Sequence, residues 1–195
     1  MSRIARELVE GAGLDVNVLT GKLTAAAGDE LATFYHYAIL SCHSVGLTDD
    51  GLREIIRDIR AEDLIHFDEL TKRVYELDGI LPLDLPGLVG RGDLSSSQTP
   101  DIRSPDDLIA RLLESERRAI QTYTHICDVT AGKDPRTHQL ALAILNEEVE
   151  HEAWIREFLG EGQGGRFRPG FRGRAPEVRR ATGQDLPPAH GFPSS

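Results

Sequence analysis

Three interruptions divide the chain into four long stretches of helical periodicity, and this pattern constrains the fold more than any other feature. Apolar residues recur at three- and four-residue steps in each stretch, which predicts amphipathic helices at about 19–45, 49–77, 104–130 and 136–159. No stretch shows the alternation of a strand. Short connections follow the first and third helices, whereas about 25 residues rich in Pro, Gly and Ser separate the second helix from the third.

Two short links and one long link predict an all-α four-helix bundle of the ferritin-like topology, because one long crossover makes the second and third helices parallel. We expect residues 1–18 to form an N-terminal arm and residues 19–160 to form the bundle. Residues 161–195 are rich in Gly, Arg and Pro and are expected to be a flexible tail. A bundle hosts many functions, so the inward-facing residues must decide among them.

The charge is divided unevenly between the body and the tail. The net charge is −10, yet the tail holds six Arg against three acids, which leaves about −13 on the body. Such a body repels nucleic acid and attracts cations, whereas the tail alone could contact phosphate. With no membrane span, no secretory leader and only two Cys, a cytoplasmic protein without structural disulfides is expected.

Two predicted helices carry an acid three residues before a histidine, a spacing that places both side chains on one helical face. In the fourth helix Glu148 precedes His151. In the second helix Asp63 precedes His66, and Glu62, one position earlier, is an alternative carboxylate. Each pair has the side chains of a metal site, although a single pair of this kind is commonly a solvated surface pair.

The first and third predicted helices each carry one acid on an apolar stripe. A single carboxylate from two helices and an acid-x-x-His pair from the other two are typical of di-iron and di-manganese bundles. Two buried divalent ions need about four carboxylates for charge and imidazoles for geometry. The candidate metal ligands are Glu30, Glu62, Asp63, His66, Glu116, Glu148 and His151.

The candidate ligands on the four helices are expected to lie at similar levels along the bundle axis. Glu30 lies about 17 residues before the first short link and Asp63 about 16 after it; Glu116 lies about 17 before the second short link and Glu148 about 15 after it. At ~1.5 Å per residue, each hairpin brings its two ligand sets within about one helical turn of the same level. The four sets can therefore meet in a dinuclear site.

Two tyrosines follow the single acids by two helical turns. Tyr37 lies seven residues after Glu30, and Tyr123 lies seven residues after Glu116. A phenol on that face could hydrogen-bond a ligand or intercept oxidising equivalents, and an ordinary core tyrosine is the alternative interpretation. We retain both as candidate catalytic residues.

The sequence resembles the Dps-like branch of the ferritin superfamily, the thioferritins, from about residue 22 to 164. The resemblance lies in RAEDLIHFDEL at 60–70, VYEL at 74–77, Glu116-Arg117 with Tyr123, TAGKDPRT at 130–137 and LAILNEEVEHEAW at 142–154. It implies a hollow dodecamer whose subunits each hold two iron ions in a bacterioferritin-type centre. Members oxidise Fe(II), preferably with hydrogen peroxide, and store ferric mineral. The ligands it implies are Glu30, Asp63 or Glu62, His66, Glu116, Glu148 and His151.

The cysteines depart from the resemblance. The family carries two cysteines near the metal, and Cys127 matches the second, but Ser95-Ser96-Ser97 occupies the place of the first. Cys42 would lie at the opposite pole of the bundle, ~34 Å from Cys127, whereas a disulfide needs Cα atoms about 6 Å apart. No thiol-disulfide role is expected.

We therefore expect an iron-storing ferroxidase that forms a homo-oligomeric cage and protects against oxidative stress. A manganese catalase is the alternative, because the ligands suit iron, manganese or zinc. A third hypothesis is a chromosome-binding protein of the Dps type that uses the tail, where Phe167 and Phe171 could stack on bases. The tail arginines are Arg166, Arg168, Arg172, Arg174, Arg179 and Arg180.

Overall fold

The computed structural model describes residues 3–43, 50–92 and 104–161, and every regular element in those ranges is a helix. The four long helices predicted from the sequence are present. The helices are α1 (Arg3–Gly11), α2 (Val16–His43), α3 (Asp50–Glu76), α4 (Leu85–Val89), α5 (Pro105–Thr130) and α6 (Pro135–Phe158). None of them is both long and apolar enough to cross a membrane.

Side-chain caps set several helix starts. Ser104 accepts the backbone N–H of Asp107 at 3.1 Å with Pro105 at the first helical position, as the sequence predicts. Helix α2, the first of the four predicted long helices, starts about one turn earlier than predicted, because Asp15 accepts the backbone N–H groups of Asn17 and Val18 at 2.9 and 3.1 Å. The predicted N-terminal arm is thus largely helical, comprising α1 and the first turn of α2.

The long helices pack as two hairpins. α2 packs along α3, α5 packs along α6, and α3 and α6 join the hairpins, whereas α2 and α5 approach each other less closely. The crossover contains α4, which lies across α2 so closely that a Cβ atom at Gly28 would stand 2.6 Å from the Leu88 carbonyl oxygen. This contact secures α2 close to Glu30.

The core consists of two apolar clusters with a polar layer between them. One cluster includes Leu23, Leu70, Ile144 and Tyr123. The other is built from α2, α3, α5 and α6 side chains that include Tyr37. Buried acids and histidines from the four long helices fill the space between the clusters, so the ionisable groups are enclosed by apolar packing on both sides.

A buried ion pair anchors the α5–α6 connection to α3. Arg73 donates two hydrogen bonds to Asp134 at 2.9 and 2.8 Å and one to Thr137 at 2.8 Å. Asp134 also caps α6 by accepting the backbone N–H of Thr137 at 3.1 Å. The conformation of the TAGKDPRT segment therefore depends on a cation from the other hairpin.

The structure leaves several predictions outside its described residues. The tail at 162–195 and the Ser95-Ser96-Ser97 run both fall there. Cys127 is buried, Cys42 is exposed, and both are free thiols.

We predict that Asp134→Asn lowers the free energy of unfolding by about 2–3 kcal/mol at pH 7, because the buried Arg73 guanidinium loses its buried carboxylate and keeps only Glu76, at 3.0 Å, as an acidic partner. Glu114→Gln, which removes an exposed partner of Arg111 and Arg118, should change it by less than about 1 kcal/mol. Denaturant titrations at matched subunit concentration measure both.

The difference in unfolding free energy between wild type and Asp134→Asn should depend on pH. Burial alone would raise the pKa of Asp134, but hydrogen bonds from Thr137 and Arg73 lower it below its usual range. A carboxylate with a lowered native pKa stabilises the fold above its unfolded pKa of about 3.9, and this stabilisation is lost as the pH falls through the native value. The gap between wild type and Asp134→Asn should therefore shrink below about pH 4, and a constant gap would contradict the ion-pair explanation.

Candidate metal centre

The polar layer is built from one acid on each of α2 and α5 and three residues on each of α3 and α6. All eight are at least nine-tenths buried, which is unusual for carboxylates unless they are paired or bind metal. The contributors are Glu30 from α2, Glu62, Asp63 and His66 from α3, Glu116 from α5, and Glu147, Glu148 and His151 from α6.

His66 stands among carboxylates on both sides of its ring. Its Nδ1 atom lies 3.0 Å from Glu148 Oε1 and 3.4 Å from Glu30 Oε2. Its Nε2 atom lies 2.6 Å from Glu147 Oε2. Glu147 thus holds the Nε2 side of the ring, so that Nδ1 faces Glu148 and Glu30. Metal-binding histidines are commonly oriented in this way by a carboxylate on the ring nitrogen that does not bind the metal.

His151 repeats this arrangement on the neighbouring helix. Its Nδ1 atom lies 3.3 Å from Glu116 Oε2 and 3.4 Å from Glu148 Oε2. Its Nε2 atom lies 2.9 Å from Glu62 Oε2. Trp154 packs against the ring, with centroids 5.2 Å apart. Glu62 therefore contacts His151 on the Nε2 side of the ring, opposite the Nδ1 atom that faces Glu116 and Glu148.

Two sets of donor atoms are close enough to hold metal ions. One donor atom from each of Glu30, Asp63, His66 and Glu148 lies within 4.8 Å of the others in its set. Glu116, Glu148 and His151 form the second set. Glu148 belongs to both, and the two imidazole rings are 6.3 Å apart. Six of the seven ligand candidates thus fall into two adjoining groups, and Glu62 stands outside both.

The two tyrosines form hydrogen bonds between the two hairpins. Tyr37 donates a hydrogen bond to Glu116, and Tyr123 donates one to Glu30. Each phenol thus contacts the single acid of the opposite hairpin and not the acid that precedes it on its own helix. Burial raises the pKa of both phenols well above their usual range, so both hydroxyl groups remain protonated donors.

The carboxylates of the layer differ in their affinity for protons. Burial raises the pKa of Glu116 to about 7 and raises that of Asp63 well above its usual range. Burial opposes ionisation of Glu148 as well, but the flanking His151 and His66 lower its pKa. Glu148, between the two groups, is therefore ionised more readily than Glu116 or Asp63.

In the two histidines, the effect of neighbouring charges on the pKa outweighs the effect of burial. Burial alone would lower the pKa of His66 and His151, but the carboxylates around them raise both values well above the usual range. Protons on these rings therefore offset part of the buried negative charge. Divalent cations can take over this role by displacing protons, as metal binding to such ligands does.

Unpartnered polar atoms are concentrated in the two groups. Asp63 Oδ2, His66 Nδ1, Glu116 Oε2, Glu148 Oε1 and His151 Nδ1 are fully buried and make no hydrogen bond of good geometry. Buried polar atoms seldom lack a partner. Oxygen and imidazole donors that converge in this way fit Fe(II), Mn(II) or Zn(II).

A small cavity reaches the acids from the side where α2 and α5 face each other. It holds about 30 Å³, space for about two water-sized molecules. Its lining includes Glu30, Asp63, Glu116 and Glu148 together with Thr33. A small oxygen species could therefore stand beside both groups.

A model of the ferritin-like domain matches residues 21–164. The chain belongs to the ferritin-like family. It is also 45% identical over 175 residues to the DNA protection during starvation protein of Pyrococcus furiosus, a match that covers 90% of this chain and 95% of that protein. The predicted resemblance to the Dps-like branch of the ferritins is confirmed.

Solved structures agree with this family. The dodecameric thioferritin of Bacteroides fragilis, a bacterioferritin-related protein, superposes with a TM-score of 0.74 at 26% identity, over 82% of this chain and 94% of that one. Dps from Listeria innocua superposes with a TM-score of 0.65 at 15% identity, over 74% of this chain and 97% of that one. The predicted ferritin-like bundle is confirmed.

Ferritin-like proteins bind iron, and the described residues of this one contain a candidate site with several ligands. The sequence interpretation overlooked Glu147. A signal was present, because Glu147 precedes Glu148 as Glu62 precedes Asp63, so both helices read acid-acid-x-x-His. That repeat could have identified Glu62 and Glu147 as equivalent outer residues.

Proposed function

We propose that this protein is a mini-ferritin that oxidises Fe(II) at a dinuclear site within each subunit and stores the ferric product. The observation that carries the proposal is the position of Glu148, whose carboxylate is shared by two adjoining groups of buried donors. Glu30, Asp63 and His66 would hold one Fe(II), Glu116 and His151 the other, and Glu148 both. Membership of the iron-binding ferritin-like family favours iron over other divalent ions.

The reaction uses hydrogen peroxide or oxygen as the oxidant. With peroxide, two Fe(II) ions each give up one electron, the O–O bond breaks, and two protons are taken up as two water molecules form. Because both electrons arrive together, no hydroxyl radical is released, which gives the protein a protective role against oxidative stress. The cavity beside the acids has the volume for such an oxidant.

Tyr37 and Tyr123 would hold Glu116 and Glu30 in place during Fe(II) oxidation. Tyr37 holds Glu116 and Tyr123 holds Glu30, each from the opposite hairpin. A carboxylate that receives a hydrogen bond on one oxygen presents the other to a cation in a defined direction. We therefore assign both tyrosines a positioning role, with capture of stray oxidising equivalents as a second role.

Storage requires a cage, and we propose a homo-dodecamer. The support is the likeness to the dodecameric thioferritin of Bacteroides fragilis. Closed symmetric assembly of twelve 21.5 kDa subunits gives about 260 kDa. The acidic body, at about −13, attracts Fe(II) to the shell and provides carboxylates for mineral nucleation.

We predict that Glu148→Ala loses about half of the bound metal or more and oxidises Fe(II) at least about 100-fold more slowly, because both groups lose their shared ligand. Metal analysis and stopped-flow absorbance of ferric product, with peroxide and with oxygen, measure the two effects. Glu152→Ala, one turn further along α6 at a salt bridge to Arg156, serves as the matched control and should behave as wild type.

The same assay separates ferroxidase from manganese catalase. A ferroxidase consumes Fe(II) in fixed proportion to peroxide and evolves no oxygen, whereas a catalase evolves oxygen without consuming metal. Oxygen evolution by the manganese-loaded protein, together with slow Fe(II) oxidation, would replace the ferroxidase proposal with the catalase alternative.

We predict that Tyr37→Phe slows Fe(II) oxidation about tenfold and weakens Co(II) binding by a similar factor, since a hydrogen bond to a carboxylate contributes about 1.5–3 kcal/mol. Tyr75→Phe, on α3 away from the ligand groups, is the control. Parallel loss of rate and affinity supports positioning of Glu116. A slower rate with unchanged Co(II) affinity supports the redox role, and no change in either contradicts both roles.

DNA protection is a second candidate function, favoured by the 45% identity to a DNA protection during starvation protein. The acidic body is unsuited to DNA, so we assign binding to the six tail arginines. Phe167 and Phe171, among these arginines, could stack on exposed bases.

We predict a gel shift of linear DNA by the full-length protein that weakens about a thousandfold in affinity between ~50 and ~200 mM salt. Deletion of residues 162–195 should abolish the shift while leaving Fe(II) oxidation intact. A full-length variant with the six arginines changed to Gln controls for tail length. A shift that survives the deletion would assign binding elsewhere.

A further inference from the structure

The metal site is built from an internal repeat. The α2–α3 hairpin and the α5–α6 hairpin supply equivalent residues at equivalent spacing, with an acid seven residues before a tyrosine on one helix and acid-acid-x-x-His on the next. The contacts repeat as well, because each tyrosine and each outer glutamate reaches across to the other hairpin. The equivalent pairs are Glu30 and Glu116, Tyr37 and Tyr123, Glu62 and Glu147, and His66 and His151.

One pair breaks the repeat, namely Asp63 and Glu148. Glu148 spans the site: its Oε1 atom lies 3.0 Å from His66 Nδ1 and its Oε2 atom 3.4 Å from His151 Nδ1. Asp63 has one methylene fewer and therefore reaches about 1.5 Å less far. Its donor atom is grouped with Glu30 and His66 but not with His151.

We infer that the aspartate at position 63 makes the two metal positions unequal, so that the ions bind in a fixed order. The first position has four residues, Glu30, Asp63, His66 and Glu148, and the second has three, Glu116, Glu148 and His151. This inference rests on the dinuclear site of the proposed function and adds which half fills first.

Charge and ligand number both favour the first position. It offers three carboxylates and an imidazole, whereas the second offers two carboxylates and an imidazole, and the shared Glu148 is counted in both. Affinity for a divalent cation rises with the number of charged ligands and with the rigidity of the site. An ion at the second position would therefore be held more weakly.

Both groups contain unpartnered buried atoms, and the one on Asp63 belongs to the first group alone. Asp63 is only 1% exposed, and its Oδ2 atom is fully buried without a hydrogen-bond partner. An isolated buried carboxylate oxygen is strongly unfavourable unless a cation or proton neutralises it. Asp63 is therefore available as an extra ligand on the Glu30 side of the site.

Anaerobic titration of the intact, metal-free oligomer with Co(II) tests the inference without turnover. The d–d absorption of Co(II) and calorimetric heats report each binding step. We expect two ions per wild-type subunit, in steps whose dissociation constants differ by at least about tenfold. Asp63→Glu, which restores the repeat, should bring the steps within about threefold while keeping two ions.

A second pair of variants does not enlarge a core side chain. Glu30→Gln and Glu116→Gln make the same change at equivalent positions of the repeat. Glu116→Gln should remove the weak step and leave the tight one, whereas Glu30→Gln should weaken the tight step. Glu114→Gln, on the exposed face of α5, should reproduce the wild-type titration.

Each outcome bears on one of the two proposals. Two equal steps in the wild type, an unchanged gap in Asp63→Glu, or identical titrations for Glu30→Gln and Glu116→Gln would overturn the inequality and leave the dinuclear site standing. Failure of the wild-type protein to bind Co(II) would overturn the metal site itself, and the inequality with it.

Discussion

The burial of six carboxylates beside two imidazoles is the constraint on which the rest of this structure depends. Like charges in a low-dielectric interior repel strongly, so the layer is tolerable only with compensating cations or protons. The shifted pKa values describe this conflict: burial raises the pKa of Glu116 to about 7, while the surrounding acids raise the pKa of His66 and His151. Divalent cations would resolve the same conflict, and the two groups of converging donors form a candidate site for them.

This constraint explains why the contacts of the site cross between hairpins. Each hairpin alone would place its acids beside one another with a single histidine among them. The actual donors come from the opposite hairpin, as when Tyr37 reaches Glu116 and Tyr123 reaches Glu30. The buried pair between Arg73 and Asp134 joins the hairpins a second time. Metal bound by residues of both hairpins would consequently strengthen the association of the two halves.

The four long helices and the level of the site could be predicted from the sequence, because both follow from helical period and rise per residue. The short helix α1 could not, since nine residues give too little periodicity to distinguish a helix from an arm. The choice between Glu62 and Asp63 was also open. Adjacent helical positions differ by about 100° in direction, and only tertiary packing shows which of them meets Glu148 and which supports His151 from behind.

If the inferred inequality holds, the aspartate at position 63 of an otherwise regular repeat would make one metal position fill before the other. Under the inferred inequality, an ion held by four residues would be retained while a neighbour held by three would exchange more readily, so product could leave without dismantling the whole centre. Glu148 keeps the two positions in contact because its oxygens face both histidines. A fully symmetric centre would have to release both ions with equal ease or neither, whereas storage requires that product leave and a binding site remain.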